Sequence, residues 1–118
     1  FTPEERVNMI KKCIPDLQNV EVEHYDGLLA EYARIRKADA IVKGLRAVSD
    51  FEDEFQQALT NKQLNPDVET VFVTAGADYM YLSSSIVKQV CELGGDVSDF
   101  VPEQVLDDIV KGIRRKED

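Results

Sequence analysis

The amino-acid sequence predicts an α/β fold in which a parallel sheet carries helices on both faces. Short runs rich in β-branched and aromatic residues alternate with longer segments of helical periodicity, as in parallel sheets. The length of 118 residues suits one domain with a core. Two cysteines, six glycines and four prolines exclude a disulfide scaffold and a collagen-like chain.

The charge of the chain limits its expected partners. With 14 basic and 23 acidic residues, the formal net charge is −9, which opposes binding to a nucleic-acid backbone. A local cationic pocket for a phosphorylated ligand remains compatible with this balance. No apolar run reaches the roughly 18 residues of a membrane span, and no signal peptide opens the chain. We therefore expect no nucleic-acid or membrane partner and a cytoplasmic location.

The first half of the chain predicts two helices and two strands. A helix is expected from Pro3 to about Cys13, because Thr2 and Glu5 have the spacing of a capping box. Residues 19–23 alternate apolar and polar side chains like a strand, and 28–37 have helical periodicity. A buried strand is expected at 40–42, ended by Gly44.

The second half predicts one strand and three helices. Ser49 and Asp50 are expected to cap a helix to about Leu64, followed by a strand at 70–74. A helix over 86–93 should end at Gly94, and a last helix should start at Pro102. Its last turn and the residues after it carry four cations: Lys111, Arg114, Arg115 and Lys116. Three strands are few for a parallel sheet, so a further strand is expected before Phe1.

Two segments follow strands and could bind anions. Ligands of open parallel sheets bind at the carboxyl ends of the strands. Lys43 and Arg46 flank Gly44 at one such end, and Ser83, Ser84 and Ser85 open a helix after the other. The alternative for the first segment is a glycine turn with two solvated cations. The alternative for the second is that the serines only cap the helix. The single histidine, His24, is expected to be an exposed loop residue, and no metal-ligand spacing is found in the sequence.

The residues in these two segments resemble bacterial phosphopantetheine adenylyltransferases. The resemblance rests on I-V-K-G-L-R-A-V-S-D-F-E at 41–52, followed by Glu54, and on Y-L-S-S-S-I-V-K at 81–88, and it extends along the whole chain. It implies a Rossmann-like nucleotidyltransferase fold and transfer of an adenylyl group from ATP to 4′-phosphopantetheine. The implied products are dephospho-coenzyme A and pyrophosphate. The resemblance also implies Mg²⁺ with ATP, a cytoplasmic homohexamer and feedback inhibition by coenzyme A.

The resemblance assigns expected roles to individual residues. Arg46 is expected on the ATP phosphates and Glu54 on the ribose side, while Leu29 and Lys43 are expected to bind the phosphopantetheine substrate. Arg46 and Ser84 are expected to support catalysis. The remaining residues expected to bind ATP are Gly44, Leu45, Tyr79, Met80, Tyr81, Leu82, Ser83 and Ser85.

Three departures from the family pattern concern catalysis and binding. Lys43 stands where the family usually has arginine, which removes a bidentate fork, and Asp53 stands at a usually aromatic position. The family's G-x-F-D-P-x-T-x-G-H motif, whose histidine stabilises the transition state, is not found in the sequence. We therefore expect residues 1–118 to be the carboxyl-terminal portion of a single nucleotidyltransferase domain, lacking the amino-terminal strand-helix-strand unit. No principal catalytic residue or metal ligand is expected here, and the chain alone is expected to be inactive.

Other interpretations of the sequence predict different behaviour. A catalytically incomplete fragment that binds nucleotide or coenzyme A, or only assembles, would bind without turnover. A nicotinate mononucleotide adenylyltransferase is a nearer enzyme, but the G-L-R and S-S-S segments argue against it. A receiver-like signalling domain needs an acidic cluster after its first strand, which residues 22–24 do not supply.

Overall fold

The computed structural model describes residues 1–115, apart from the side chains at 48 and 49. The chain forms two compact units, one of Phe1–His24 with the chain from Leu82 onward and one of Tyr25–Tyr81. Within the described residues, no helix is both long and apolar enough to cross a membrane. In chain order the elements are α1 (Pro3–Cys13), α2 (Leu29–Ile35), β1 (Ala40–Leu45), α3 (Val48–Leu64), β2 (Glu69–Thr74), α4 (Ser84–Glu92) and α5 (Leu106–Arg114), with 3₁₀ turns at Ala77–Tyr79 and Glu103–Val105.

The sheet lies in the unit Tyr25–Tyr81 and is parallel, as the sequence predicts. Strands β1 and β2 pair from Ala40 opposite Glu69 to Leu45 opposite Thr74, and α3 connects them. The amide of Ala75 donates to the carbonyl of Leu45 at 2.8 Å, which extends the pairing by one residue. The expectation that Gly44 ends the strand is wrong. Continuous pairing with β2 outweighs the weak strand preference of a single glycine.

The strand expected over residues 19–23 is also absent. In residues 1–115 the only strands that pair are β1 and β2, so the described sheet has two strands instead of three. Alternation of apolar and polar side chains permits an extended segment, but a strand also needs a neighbouring strand for its backbone hydrogen bonds. No described strand pairs with residues 19–23, so alternation alone predicts a strand here that does not form.

The core of the unit Tyr25–Tyr81 is small and is completed by one buried polar side chain. Ala33, Ile41 and Val68 form a buried apolar cluster. Asn65 is only 4% exposed, and its amide group donates to the carbonyl of Ala30 at 3.2 Å. Its side-chain oxygen accepts from the amide of Asp67 at 3.2 Å. The turn between α3 and β2 is thereby fastened to α2.

The other unit is helical, and its helix ends follow the sequence signals. Thr2 and Glu5 form the expected capping box, with the Glu5 amide donating to the Thr2 hydroxyl at 3.1 Å and the Thr2 amide donating to the Glu5 carboxylate at 3.2 Å. Gly94 ends α4 in the left-handed region at φ +81°, as expected of a glycine at a helix end. One buried apolar cluster of this unit consists of Cys91, Val97 and Ile113.

Several helix boundaries differ from the expectations. Helix α3 begins at Val48 after Ala47, which makes no side-chain cap, so the prediction of a cap at Ser49 and Asp50 is wrong. Helix α4 begins at Ser84, two residues earlier than expected, and Pro102 precedes a 3₁₀ turn before α5 begins. Short polar side chains mark a helix start only to within a turn, because the backbone also permits neighbouring starts. Lys116 lies outside the described residues.

Candidate functional site

The carboxyl end of β1 carries two cations, and both contact acidic side chains of α3. Lys43 lies in β1, and its Nζ atom is 3.3 Å from Oε2 of Glu54. Arg46 follows the strand, and its Nε atom is 3.5 Å from Oδ2 of Asp50. The alternative interpretation, a glycine turn with freely solvated cations, does not describe these two side chains, because each contacts a carboxylate. The structure brings together Lys43 and Glu54, which the sequence singled out separately.

Helix α3 lies over the face of β1 and β2 that carries Lys43. Phe72 stands opposite Lys43 in the parallel register, and its ring is 5.7 Å from that of Phe51 in α3, edge to face. Side chains alternate between the two faces of a strand, so Lys43 and Ile41 share a face. This packing directs Lys43 towards α3, where Glu54 is placed to meet it.

Glu54 carries an oxygen with unused bonding capacity. Its side chain is 27% exposed, yet the Oε2 atom is buried and makes no hydrogen bond to the described part of the chain. The nearby ammonium group of Lys43 balances the negative charge of the carboxylate, but the geometry of this contact is not that of a hydrogen bond. An ionised carboxylate only accepts hydrogen bonds, and a buried acceptor left unsatisfied is costly. This oxygen therefore suits a hydroxyl or N–H donor from a ligand.

Gly44 leaves the backbone at the end of β1 accessible. A β-carbon built on Gly44 would meet no heavy atom within 4 Å. The neighbouring Val42 is 66% exposed, so the strand is open on the face away from α3. The chain's own packing thus leaves space over Gly44 that a ligand could occupy, with the adjacent Leu45 half-buried.

The segment after β2 presents large exposed side chains. Tyr79, Met80 and Tyr81 are 60%, 49% and 57% exposed. Tyr79 is the last residue of the 3₁₀ turn at Ala77–Tyr79, and the other two follow it. Exposed aromatic rings can stack on nucleobases. These positions are compatible with the expectation of adenine contacts.

At the amino terminus of α4, one serine caps the helix and the next two are exposed. The hydroxyl of Ser83 accepts from the amide of Ile86 at 3.2 Å, so its capping interpretation is confirmed. Ser84 and Ser85 are the first two helical residues and are exposed, while Leu82 is half-buried. Their backbone N–H groups lie at the positive end of the helix dipole, where anions are stabilised.

The start of α2 carries an apolar surface that sequence reasoning identified only in part. Leu29 is 37% exposed, and the neighbouring Leu28 and Tyr25 are 62% and 39% exposed. The ring of Tyr25 packs against that of Tyr32 at 5.1 Å. Leu28 stands next to Leu29 in a segment of helical periodicity, and this pattern could have indicated it. No pattern in the sequence indicates Tyr25. His24 is exposed and lies outside any helix or strand, as expected.

A groove in the helical unit contains none of the predicted site residues. It measures about 380 Å³ and is lined by both α1 and α5. Four of its charged side chains form two pairs: Lys12 is 2.7 Å from Asp108, and Arg115 is 3.4 Å from Glu5. These pairs neutralise much of its charge, and the groove gives no reason to relocate the candidate site. In residues 1–115, no group of three or more His, Cys, Asp or Glu side chains could hold a metal ion.

A family model supports the nucleotide-binding interpretation of these segments. Residues 1–90 match the model described as cytidylyltransferase-like. The match includes β1, α3, β2 and the start of α4, and thus all of the predicted site residues. The parallel α/β class predicted from the sequence is the Rossmann-type class of this family.

Curated relatives give a narrower comparison, and those described here share the name phosphopantetheine adenylyltransferase. The protein of Caldanaerobacter subterraneus subsp. tengcongensis is 50% identical over 115 residues, covering 98% of this chain and 72% of the relative. That of Clostridium perfringens strain SM101 is 49% identical, covering 96% of this chain and 69% of the relative. That of Heliobacterium modesticaldum is 57% identical over 106 residues, covering 90% of this chain and 63% of the relative.

Proposed function

Because this chain belongs to the phosphopantetheine adenylyltransferases of the cytidylyltransferase-like family, we propose that it acts in adenylyl transfer from ATP to 4′-phosphopantetheine. The reaction yields dephospho-coenzyme A and pyrophosphate, within coenzyme A biosynthesis. The observation that carries this function is 50% identity across 98% of the chain. A match of that extent includes both segments in which the anion-binding residues are found.

The reaction is an in-line displacement at phosphorus. A phosphate oxygen of 4′-phosphopantetheine attacks the α-phosphorus of ATP and forms the new P–O bond. The bond from the α-phosphorus to the bridging oxygen breaks, and pyrophosphate leaves with that electron pair. The protein's work in such a reaction is positioning and stabilisation of negative charge.

The cationic end of β1 is proposed to bind the phosphates. Arg46 is assigned to the ATP phosphates, and Lys43 to the phosphate of the acceptor. The backbone of Gly44 and Leu45 is assigned to close approach of ATP, supported by the open space over Gly44. Leu29 is assigned to the pantetheine arm, supported by its exposed apolar surroundings.

The remaining assigned residues contact the nucleoside and the phosphates of ATP. Glu54 is proposed to accept from a ribose hydroxyl, which the buried, unsatisfied Oε2 atom supports. Residues Tyr79–Leu82 are proposed to contact the adenine, supported by the exposed rings of both tyrosines. Ser83–Ser85 are proposed to face phosphate through the amino terminus of α4, with Ser84 supporting catalysis.

Mg²⁺ is proposed to enter with ATP as part of the substrate. Such ions are commonly held by substrate phosphates and retained water, with few protein ligands. No residue of this chain is assigned as a ligand. A cytoplasmic homohexamer inhibited by coenzyme A completes the proposal, and its support is the resemblance to the family.

The chain is proposed to supply part of the site rather than all of it. The relative from Caldanaerobacter is covered to 72%, and the G-x-F-D-P-x-T-x-G-H motif is not found in the 118 residues. Residues 1–118 are accordingly proposed to be the carboxyl-terminal portion of one nucleotidyltransferase domain. The alternative is a fragment that binds nucleotide or coenzyme A, or assembles, without taking part in catalysis.

Calorimetry and a pyrophosphate-release assay on the 118-residue chain test this function. We expect binding of Mg-ATP and of 4′-phosphopantetheine with negligible pyrophosphate release. Turnover should appear when a strand-helix-strand unit carrying the histidine motif is joined to residue 1. Strong release by the isolated chain would contradict its incompleteness, and binding without turnover in the joined protein would favour the non-catalytic alternative.

A further inference from the structure

The contact between Lys43 and Glu54 joins two residues with different proposed roles. Lys43 is assigned to the acceptor and Glu54 to the nucleotide, yet their charged atoms lie 3.3 Å apart. Both side chains are mostly buried, at 28% and 27% exposure, so water screens the pair less than an exposed pair. The position of one charged group therefore restrains the position of the other.

The Arg46–Asp50 pair provides an internal contrast. Its separation is 3.5 Å between residues four positions apart in the sequence, and its side chains are 41% and 34% exposed. The Lys43–Glu54 pair instead joins a strand to the second turn of a helix, so the backbone sets its geometry on both sides. It is the less exposed of these two contacts, and Oε2 of Glu54 still lacks a hydrogen bond within residues 1–115.

We infer that Glu54 is a positioning residue for Lys43, and that their ion pair couples the binding of nucleotide to the binding of the acceptor. This inference rests on the proposed function. A ribose hydroxyl donating to Oε2 would fix the Glu54 carboxylate, and the carboxylate would then hold the Lys43 ammonium. Because lysine has a flexible stem and three donors, the held ammonium can still donate to an acceptor phosphate.

The expected thermodynamic consequence is positive and reciprocal coupling. Once the first ligand has ordered the pair, the second ligand loses less conformational freedom on binding. ATP should therefore tighten binding of 4′-phosphopantetheine by about fivefold, and the acceptor should tighten ATP binding by the same factor. Glu54→Gln keeps the shape of the side chain and an oxygen that can accept from the ribose hydroxyl. It removes the negative charge that holds Lys43, so it should abolish the coupling.

Calorimetric titration of the 118-residue chain measures this coupling directly. 4′-Phosphopantetheine is titrated with and without a saturating, non-hydrolysable ATP analogue and Mg²⁺, for the wild type, Glu54→Gln, Lys43→Met and the double variant. The matched control is Glu52→Gln, which removes the same charge from an exposed position of the same helix. Lys43→Arg keeps the charge and is expected to retain coupling, which guards against a variant that fails to fold.

The outcomes separate this inference from the proposed function. Fivefold coupling that is lost in Glu54→Gln and Lys43→Met, and retained in Glu52→Gln and Lys43→Arg, supports it. Binding of both ligands by the wild type without coupling overturns it, as does coupling that survives in Glu54→Gln. Binding of neither ligand by the wild type contradicts the proposed function itself, and thereby the premise of the inference.

Discussion

The two segments predicted to bind anions offer positive charge in different ways. At the end of β1, the charge comes from Lys43 and Arg46, and each contacts a carboxylate of α3. At the start of α4, it comes from backbone N–H groups fixed by the helix, next to hydroxyl groups without net charge. The first segment draws on side chains that already have partners, whereas the second draws on a preformed dipole. Substitution and salt should therefore affect them differently.

The largest effect is expected at the charged segment. Arg46→Ala should weaken ATP binding by about 30-fold, because a hydrogen bond to a charged group contributes roughly 1.5–3 kcal/mol. Calorimetric titration of Mg-ATP measures the change. Arg6→Ala, at an exposed position of α1, removes the same charge elsewhere and should leave affinity within about twofold. Equal losses of ATP affinity in both variants would show that Arg46 contributes only to the net charge of the protein and does not contact the phosphates.

Neighbouring serines separate capping from ligand binding at the second segment. Ser83→Ala removes the hydroxyl that accepts from Ile86 and should lower the free energy of unfolding by about 1 kcal/mol. Ser84→Ala leaves that cap intact and should weaken ATP binding about threefold with little change in stability. Urea denaturation and calorimetry measure the two quantities. If Ser83→Ala loses stability and neither variant loses affinity for ATP, this segment serves only as a helix cap.

Salt provides a direct comparison of the two sources of charge. Raising the ionic strength from about 0.05 to about 0.5 M shortens the screening length and should weaken ATP binding by the wild type severalfold. The loss should be smaller in Arg46→Ala than in the wild type, and unchanged in Ser84→Ala. The same salt dependence in all three proteins would show that neither segment is the charged contact for ATP.

The smallest effect is expected from pH and distinguishes a charged helix cap from a neutral one. The backbone hydrogen bond at Thr2 lowers the pKa of Glu5 below its usual 4.5, with Arg115 adding to the effect. The folded state therefore binds this proton less readily than the unfolded state, and the stabilisation is present above pH 4.5. It should be lost as the pH falls through the lower, folded pKa.

Acid denaturation of the Glu5→Gln variant tests this dependence. Stability of the wild type should decline more steeply below pH 4.5 than that of the variant, because only the wild type has this carboxylate to protonate. Ser83→Ala should leave the steepness unchanged, since the α4 cap is a hydroxyl that does not titrate. An equally steep decline in Glu5→Gln would assign the acid sensitivity to other groups, such as Asp96, whose pKa is also lowered.

Local signals predicted helix ends well where a side chain or glycine satisfies the backbone by itself. The capping box at Thr2 and the left-handed Gly94 are such cases, since each acts within one helical turn. Strands were harder because their hydrogen bonds come from elsewhere in the chain. Residues 19–23 have the right alternation without a described partner, and Gly44 lies in β1 because β2 continues beside it.

The candidate site was predictable as a set of segments and not as a set of contacts. Residue types and their order singled out Lys43, Arg46 and the three serines, and the family resemblance added Glu54. The pairing of Lys43 with Glu54 depends on how α3 lies over β1, which no local spacing specifies. The contact between the rings of Tyr25 and Tyr32 likewise depends on the folded chain, and no local spacing indicates it.

The empty space over Gly44 has a consequence for conformational entropy. A glycine within a strand loses more backbone freedom on folding than alanine would, which weakens the strand by roughly 0.5–1 kcal/mol. Because a β-carbon there would meet no atom of the chain within 4 Å, packing gives no reason for the glycine. The unfolded chain therefore has more backbone freedom with Gly44 than it would with alanine. Strand β1 is correspondingly less stable than the space around Gly44 would permit.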